Sequence, residues 1–397
     1  MKIIELNAYY KYGSTGDIVH TLYNAGKQQG YEMYVIYWLG DIVKEDNESV
    51  FYFGEKNPLR IKKIAQYLFN GGKLNYNSNR TKQIIERIAK ISPDIIHIHN
   101  LHGDFEYGSI DITMLFDFLS KRKIKCIWTL HDCWAFTGRC YHFQYKKCEK
   151  WKSGCGKCPQ RIYDRHGVIF DYSDQNLAIK NKLYHSLQDL TIVTVSHWLE
   201  EMVHESILSD FKVMTIYNGV DCDVFNYVSS TDKHGILCVG WDRKKGYKDY
   251  YKIAKLLPNE EIYVLGNRPF FRRLRKLPHN IHELPYITSK NEMANQYRNS
   301  SLYFNASIAE TFGLTTVEAL ACGTPVLGYN TTATPEIIDK ELGRTIEKND
   351  TNDLLKSINE LIYNDDEQLG IKRAAYVKKC FSKEMMIRSY MKLFGDI

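Results

Sequence analysis

Short apolar, β-rich runs alternate with segments of helical period along almost the whole chain. The runs are Ile3–Leu6, Tyr34–Tyr37, Ile95–Ile98, Cys126–Leu130, Thr191–Val195, Val213–Tyr217, Ile236–Val239, Ile262–Leu265, Leu302–Phe304 and Val326–Tyr329. Strands that are apolar throughout are strands buried on both faces. Helices between successive strands make the pairing parallel. The pattern therefore predicts parallel α/β sheets covered by helices on both sides. So many strands overfill one compact sheet, and the chain divides into two doubly wound halves that meet near Asn218-Gly219. Its 397 residues suffice for two domains of ordinary size. No solenoid repeat or low-complexity tract interrupts the alternation.

Composition changes this picture little. Hydrophobic residues make up 44% and charged residues 25%, as in an ordinary globular protein. A formal charge of +6 permits an anionic substrate or a membrane surface without demanding nucleic acid. The start, Met1-Lys2-Ile3-Ile4-Glu5-Leu6-Asn7, is broken by Glu5 and Asn7 and reads as a first strand, not a signal peptide. No apolar run approaches the roughly 18 residues of a membrane span. Ten cysteines without a secretion signal imply reduced thiols and a cytoplasmic location.

The chemistry concentrates in Glu310-Thr311-Phe312-Gly313-Leu314-Thr315-Thr316-Val317-Glu318, which continues into Ala319-Leu320-Ala321-Cys322-Gly323-Thr324-Pro325-Val326. It follows the run Leu302–Phe304, so it reads as strand, loop and helix N-terminus. Such a terminus offers N–H groups and partial positive charge to a phosphate. Helical side chains lean toward the N-terminus, so Glu318 points back at that end while Glu310 flanks it from the loop. Two carboxylates beside an anion cradle suit a ligand with a phosphate centre and hydroxyl-rich groups on both sides, such as a nucleotide-sugar. The competing reading is a capping box over Thr315–Glu318, in which Glu318 merely caps the helix.

The Glu-x7-Glu spacing followed by Glu-Ala-Leu-Ala-Cys-Gly-Thr-Pro-Val resembles the signature of family-4 retaining glycosyltransferases, of the type found in bacterial capsule, exopolysaccharide and O-antigen biosynthesis. The resemblance extends over nearly the whole chain and implies an α/β GT-B fold, two Rossmann-like domains facing a central cleft. Residues 1–216 would form the acceptor-side domain and 217–380 the nucleotide-sugar-binding domain, with the final helix, 381–397, returning to the first. Glu318 would then hold ribose hydroxyls and Glu310 the sugar, with Phe312, Gly313, Leu314 and Thr315 at the donor. Gly16, in the loop Tyr12–Asp17 after the first strand, would lie over the diphosphate. His131, at the end of Cys126–Leu130, would orient donor hydroxyls and the β-phosphate. In Val239-Gly240-Trp241-Asp242-Arg243-Lys244-Lys245-Gly246, Lys245 matches the family's lysine before glycine. The family's arginine directly after Val-Gly is replaced by Trp241, which leaves Arg243 to supply the guanidinium. Glu336 in Thr334-Pro335-Glu336 matches a further element beside the donor pocket. Asp221-Cys222-Asp223 reads formally as a metal motif, but it follows a domain-junction turn and only Asp221 belongs to the family pattern. Catalysis of this type requires no metal, since cations and helix N–H groups stabilise the leaving diphosphate.

Other stretches keep more than one reading. His97 and His99 share a face of their strand and could ligate a metal, yet no neighbouring carboxylate or cysteine in sequence completes a set. His99, Asn100 and His102 lie at a strand end and are candidate acceptor contacts, the acceptor being a glycan, free or lipid-linked. Asn57–Phe69, with Arg60, Lys62 and Lys63, is either an ordinary helix with a core face or a basic amphipathic segment for peripheral contact with the inner face of the membrane. Arg268–Lys276 reads as an exposed basic helix face or a nucleotide or membrane contact. The long connection from Cys133 to Ser173 holds Cys140, Cys148, Cys155 and Cys158, which read as a structural zinc site, a disulfide pair or packed free thiols. Cys133 or His142 could replace one member. A nucleotide-dependent oxidoreductase on paired Rossmann folds is the rival function, and the missing Gly-x-Gly-x-x-Gly fingerprint opposes it. The modest charge opposes a nucleic-acid-binding zinc module.

Overall fold

The computed structural model describes residues 1–40, 45–54, 74, 78–102, 110–161, 169–229, 232–242, 244–269 and 276–396. Contacts divide the chain into one unit of Met1–Ile216 with Ile387–Ile397 and a second of Tyr217–Met386.

The first unit is built on a seven-stranded sheet. Its strands are β1 (Lys2–Leu6), β2 (Glu32–Tyr37), β3 (Val50–Tyr52), β4 (Ile95–Ile98), β5 (Lys125–Leu130), β6 (Leu190–Thr194) and β7 (Lys212–Thr215). The spatial order is β3-β2-β1-β4-β5-β6-β7, and every pair is parallel. The second unit carries β8 (Ile236–Val239), β9 (Ile262–Leu265), β10 (Ile281–Leu284), β11 (Leu302–Asn305), β12 (Val326–Tyr329) and β13 (Gly343–Ile346). Its order is β10-β9-β8-β11-β12-β13, again wholly parallel. In each sheet the order reverses once, between β1 and β4 and between β8 and β11. Crevices at the carboxyl ends of strands flanking such a reversal are where open α/β sheets bind ligands.

All ten apolar runs form strands, with ends displaced by at most two residues. The strands not read from sequence are β3, β10 and β13, and each is an edge strand. An edge needs less apolar surface, so Ile281-His282-Glu283-Leu284 and Gly343-Arg344-Thr345-Ile346 lack the continuous apolar signature.

The last helix, Lys383–Gly395, begins within the second unit, and its residues from Ile387 count with the first. There Tyr390 and Phe394 are buried, with ring centroids 5.1 and 5.5 Å from that of His97. The Tyr390 hydroxyl lies 2.9 Å from Thr129 Oγ1. The part of the expected 381–397 segment up to Met386 stays with the second unit, where Met386 Sδ accepts the Gly219 N–H.

In the second unit one glycine decides how the ends of β8 and β11 meet. Gly246 caps the helix Tyr247–Leu256 at φ +76°, and an added Cβ would stand 2.3 Å from the Ala306 carbonyl oxygen. Gly246→Ala combines left-handed strain with backbone overpacking and is expected to cost roughly 3 kcal/mol. Urea unfolding followed by a probe in the second unit checks this, and an unchanged midpoint would refute the close approach.

Candidate active site

The helix Leu314–Ala321 follows β11, and Gly313 caps it at φ +98° without any side-chain cap bond. The Thr316 and Val317 N–H groups bond the Gly313 carbonyl, so those of Leu314 and Thr315 have no partner within the helix and face its start. This arrangement overturns the capping box. Thr315 is already the second helical residue, and its hydroxyl pairs with Tyr303 OH at 2.8 Å. The buried Tyr297 hydroxyl donates to Glu318 Oε2 at 3.0 Å. Glu318 is thus held by a tyrosine from a neighbouring helix, not spent on the N-cap.

Lys245 and Glu310 meet beside this terminus, Nζ to Oε1 at 2.7 Å. Lys245 follows β8, where its N–H donates to Asp242 Oδ1, and Glu310 follows β11, where its N–H donates to Thr332 Oγ1. Burial pulls the Lys245 ammonium down, but the facing Glu310 carboxylate prevails and holds it above its ordinary value. A lysine that stays charged here is suited to a diphosphate. Arg243 lies outside the described residues. Trp241, in place of the expected arginine, is a core residue 3% exposed, with the Arg268 guanidinium 5.7 Å from its ring centroid. Arg268 also pairs with Glu283 at 3.0 Å, so it is not a solvated helix residue, while 270–275 lie outside the described residues. Phe312 is buried between Tyr217 and Phe381, which leaves its backbone as the part near the helix terminus. Glu336 accepts from Tyr217 OH at 2.6 Å. Asp221 pairs with Lys383 at 2.5 Å, a structural tie and not a metal ligand pair with Asp223.

In the first unit, Gly16 falls in the opening turn of the helix Gly13–Gln28 and accepts the Lys11 N–H. A Cβ there would come within 3.2 Å of Tyr10 N, so glycine is what lets the loop after β1 fold onto the helix start. Asn7, at the end of β1, accepts the Asn100 N–H and donates to Tyr9 O and Thr15 Oγ1, joining the carboxyl ends of β1 and β4.

Beneath these ends runs a buried polar chain. Glu5, His97 and His99 are essentially without exposed surface. Glu5 Oε2 lies 2.8 Å from His99 Nε2 and 3.0 Å from His97 Nδ1. His99 Nδ1 meets His131 Nε2 at 3.0 Å, and His97 Nε2 meets Thr129 Oγ1 at 2.8 Å. Burial opposes charge on Glu5, yet the two histidines override it and hold its acid at about 2. Burial and His97 push His99 down to about 4, and burial with His99 likewise keeps His131 well below its ordinary value. An ionised Glu5 only accepts, so His99 presents Nε2–H to it and takes the His131 Nε2–H at Nδ1. The carboxylate thereby sets the tautomer of His131 two residues away along the chain.

Sequence reasoning missed this carboxylate. The histidine pair has its acidic neighbour after all, since β1 and β4 pair with Glu5 opposite His97. The three residues place donor atoms within 4.8 Å of one another, though each ring nitrogen already has a hydrogen-bond partner. A charged residue in the middle of an apolar strand was the available signal. His99, read as an acceptor contact, is buried instead and reaches a ligand only through His131. Asn100 and His102 stay partly exposed, and His102 Nε2 pairs with Asp132 Oδ2 at 2.9 Å.

Two doubly wound parallel sheets, with a charged lysine and a glycine-capped helix at one reversal, define a GT-B glycosyltransferase that uses a nucleotide-sugar. Comparison with known proteins agrees. Residues 16–224, more than half of the chain, match Glycosyltransferase Family 4, and 223–378 match Glycosyl transferases group 1. The chain belongs to the family-4 glycosyltransferases. It is 24% identical to the putative colanic acid biosynthesis glycosyl transferase WcaC of Escherichia coli, over the full length of both chains. Among solved structures it is similar to a sucrose-phosphate synthase from Thermosynechococcus elongatus, at TM-score 0.71 and 15% identity over 100% of this chain and 98% of that one. Anabaena Alr3699/HepE in complex with UDP-glucose matches over the whole of both chains at TM-score 0.66 and 13% identity. Nothing in these relationships supports an oxidoreductase.

The buried chain makes the first unit acid-sensitive. Both folded values are depressed. Below pH 6.5 the unfolded chain takes up a proton that His99 refuses down to about 4, and below pH 4.5 the same holds for Glu5 down to about 2. Both losses run in the direction of falling pH. Thermal melting should drop between pH 7 and 4.5 with a His99 share on the order of 3 kcal/mol, and His99→Gln should flatten the slope. Equal slopes in wild type and variant would contradict the assignment.

Proposed function

We propose that the protein transfers a sugar, with retention of anomeric configuration, from a UDP-sugar to a hydroxyl of a lipid-linked glycan during surface-polysaccharide assembly. The observation that carries this reading is the Lys245–Glu310 pair beside the Gly313-capped helix. The Lys245 ammonium and the Leu314 and Thr315 N–H groups lie where negative charge gathers on a leaving diphosphate, and such preorganised donors act without reorganisation during reaction. Glu318 accepts from ribose hydroxyls, Glu310 from the transferred sugar, and His131 orients the donor's hydroxyls. The bond from the anomeric carbon to the diphosphate oxygen breaks. The acceptor oxygen bonds the same carbon on the same face, and its proton passes to an oxygen of the leaving phosphate. No side chain is required as a nucleophile. The UDP assignment draws on the UDP-glucose complex of the Anabaena protein, and the polysaccharide context on the colanic acid relative.

No helix among the described residues is long and apolar enough to cross a membrane. A lipid-linked acceptor would be met by peripheral contact at the cytoplasmic face, for which Arg60, Lys62 and Lys63, outside the described residues, are the candidates. Flotation with anionic liposomes should capture the wild type and lose the triple Glu variant, and a wild type that does not float would remove the membrane contact.

UDP-sugars should raise thermal stability more than GDP- or ADP-sugars, by about 2.7 kcal/mol at 100 times the dissociation constant. Glu318→Gln should weaken that stabilisation, whereas Glu310→Gln should mainly lower turnover. Stabilisation by another base alone would displace the UDP assignment, and full activity in both variants would refute the donor site.

A further inference from the structure

The connection between His131 and the helix Ser173–Tyr184 contains a cluster that glycosyl transfer does not use. Cys140, Cys148, Cys155 and Cys158 all line one cavity of about 20 Å³, together with the apolar Phe143, Trp151 and Pro159 and with polar neighbours that include Arg139 and Lys150. That is room for one atom-sized occupant, since a water needs roughly 10–15 Å³ and two to four polar partners. Aromatic walls with sulfur donors offer water little and suit a soft cation.

Backbone and charge favour the same occupant. Lys147 and Lys157 adopt φ of +47° and +46°, a conformation that costs energy outside glycine, and each immediately precedes a cysteine of the cluster. Gly138 N–H donates to Cys155 Sγ at 3.3 Å, and the Gln160 N–H donates to the Cys158 sulfur. Two buried cations flank the thiols. Arg139 is 2% exposed, with Asp171 3.9 Å away. Lys180 has no exposure, bonds the Trp134 and Thr137 carbonyls, and lies 3.5 Å from the Trp134 ring centroid. Buried charges require compensation. Four thiolates around a divalent ion carry a net charge of about −2, and Lys180 with Arg139, the latter shared with Asp171, sets positive charge beside them.

The sulfurs line the cavity without yet meeting at one point. Among the described residues, the group of three or more His, Cys, Asp or Glu donors within 4.8 Å of one another is that of Glu5, His97 and His99. Moving a cysteine between χ1 wells carries its sulfur on the order of 3 Å, and closure on an ion would draw on such rotations.

We propose that Cys140, Cys148, Cys155 and Cys158 bind one zinc ion as a closed four-thiolate structural site. The ion clips the connection onto its helix, where Asn176 donates to the Gly138 carbonyl and Tyr184 to that of Ala135. Asp132, which pairs with His102, opens the same connection, so the clip steadies the carboxyl end of β5.

The test does not use transferase activity and so stands apart from the functional reading. Purified full-length protein under reducing conditions should contain about one zinc per chain by elemental analysis, with X-ray absorption showing four sulfurs at about 2.3 Å. Titrating the wild type with p-mercuribenzoate should release the zinc as four thiols react, which needs no folded variant. Cys155→Ser and Cys158→Ser should retain less than about a tenth of the metal, while Cys133→Ser, buried but outside the cavity lining, should keep it. Metal-free protein with four freely reactive thiols would overturn the proposal. So would two disulfides in the native protein, or stoichiometric iron in place of zinc.

Discussion

Glu5 is an ionised carboxylate without exposed surface in the middle of β1, and the first unit is arranged around keeping it paired. A parallel sheet covered on both faces has no water for such a group. Its partners must come from neighbouring strands, and they do. His97 of β4 and His99 just after it donate to it, Thr129 from β5 satisfies His97, and Tyr390 of the last helix meets Thr129. A half-satisfied network of this kind is worse than an apolar core, whereas a satisfied one specifies a unique arrangement. The same chain ends at His131, so the demand for compensation in the interior also orients a ring at the carboxyl end of the sheet.

The second unit solves a related problem at its surface. Gly246 and Gly313 both adopt left-handed conformations and both start helices, after β8 and β11 respectively. These strands flank the reversal in strand order. One glycine brings Lys245 down to Glu310, and the other turns the helix amides toward the same end. Tyr297 and Tyr303, both buried, hold Glu318 and Thr315 from behind. The charged groups are thus backed by a rigid shell before any ligand arrives, which is the condition for electrostatic stabilisation to be effective.

The cysteine-bearing connection adds an independent layer. Its backbone is tied to the helix Ser173–Tyr184 through buried side chains of that helix, and its own aromatic residues, Phe136, Phe143 and Trp151, pack together. A long connection can stay ordered by such local packing, and a metal clip would reinforce it.

By itself the sequence determined the fold class, the division into two halves and the glycosyltransferase family, and it singled out Glu310–Glu318 as a candidate site, because apolar runs buried on both faces and a motif confined to one strand, loop and helix are written locally. Edge strands β10 and β13 were not legible because polar residues interrupt them, and β3 because it is only three residues long. Only the tertiary structure paired Glu5 with His97, His99 and thus His131, set Tyr297 on Glu318 in place of a capping box, and put Trp241 in the core. Each of those depends on which strands lie side by side and in what register. A parallel sheet brings together residues some ninety positions apart through backbone hydrogen bonds that leave no mark on either residue's neighbours in sequence.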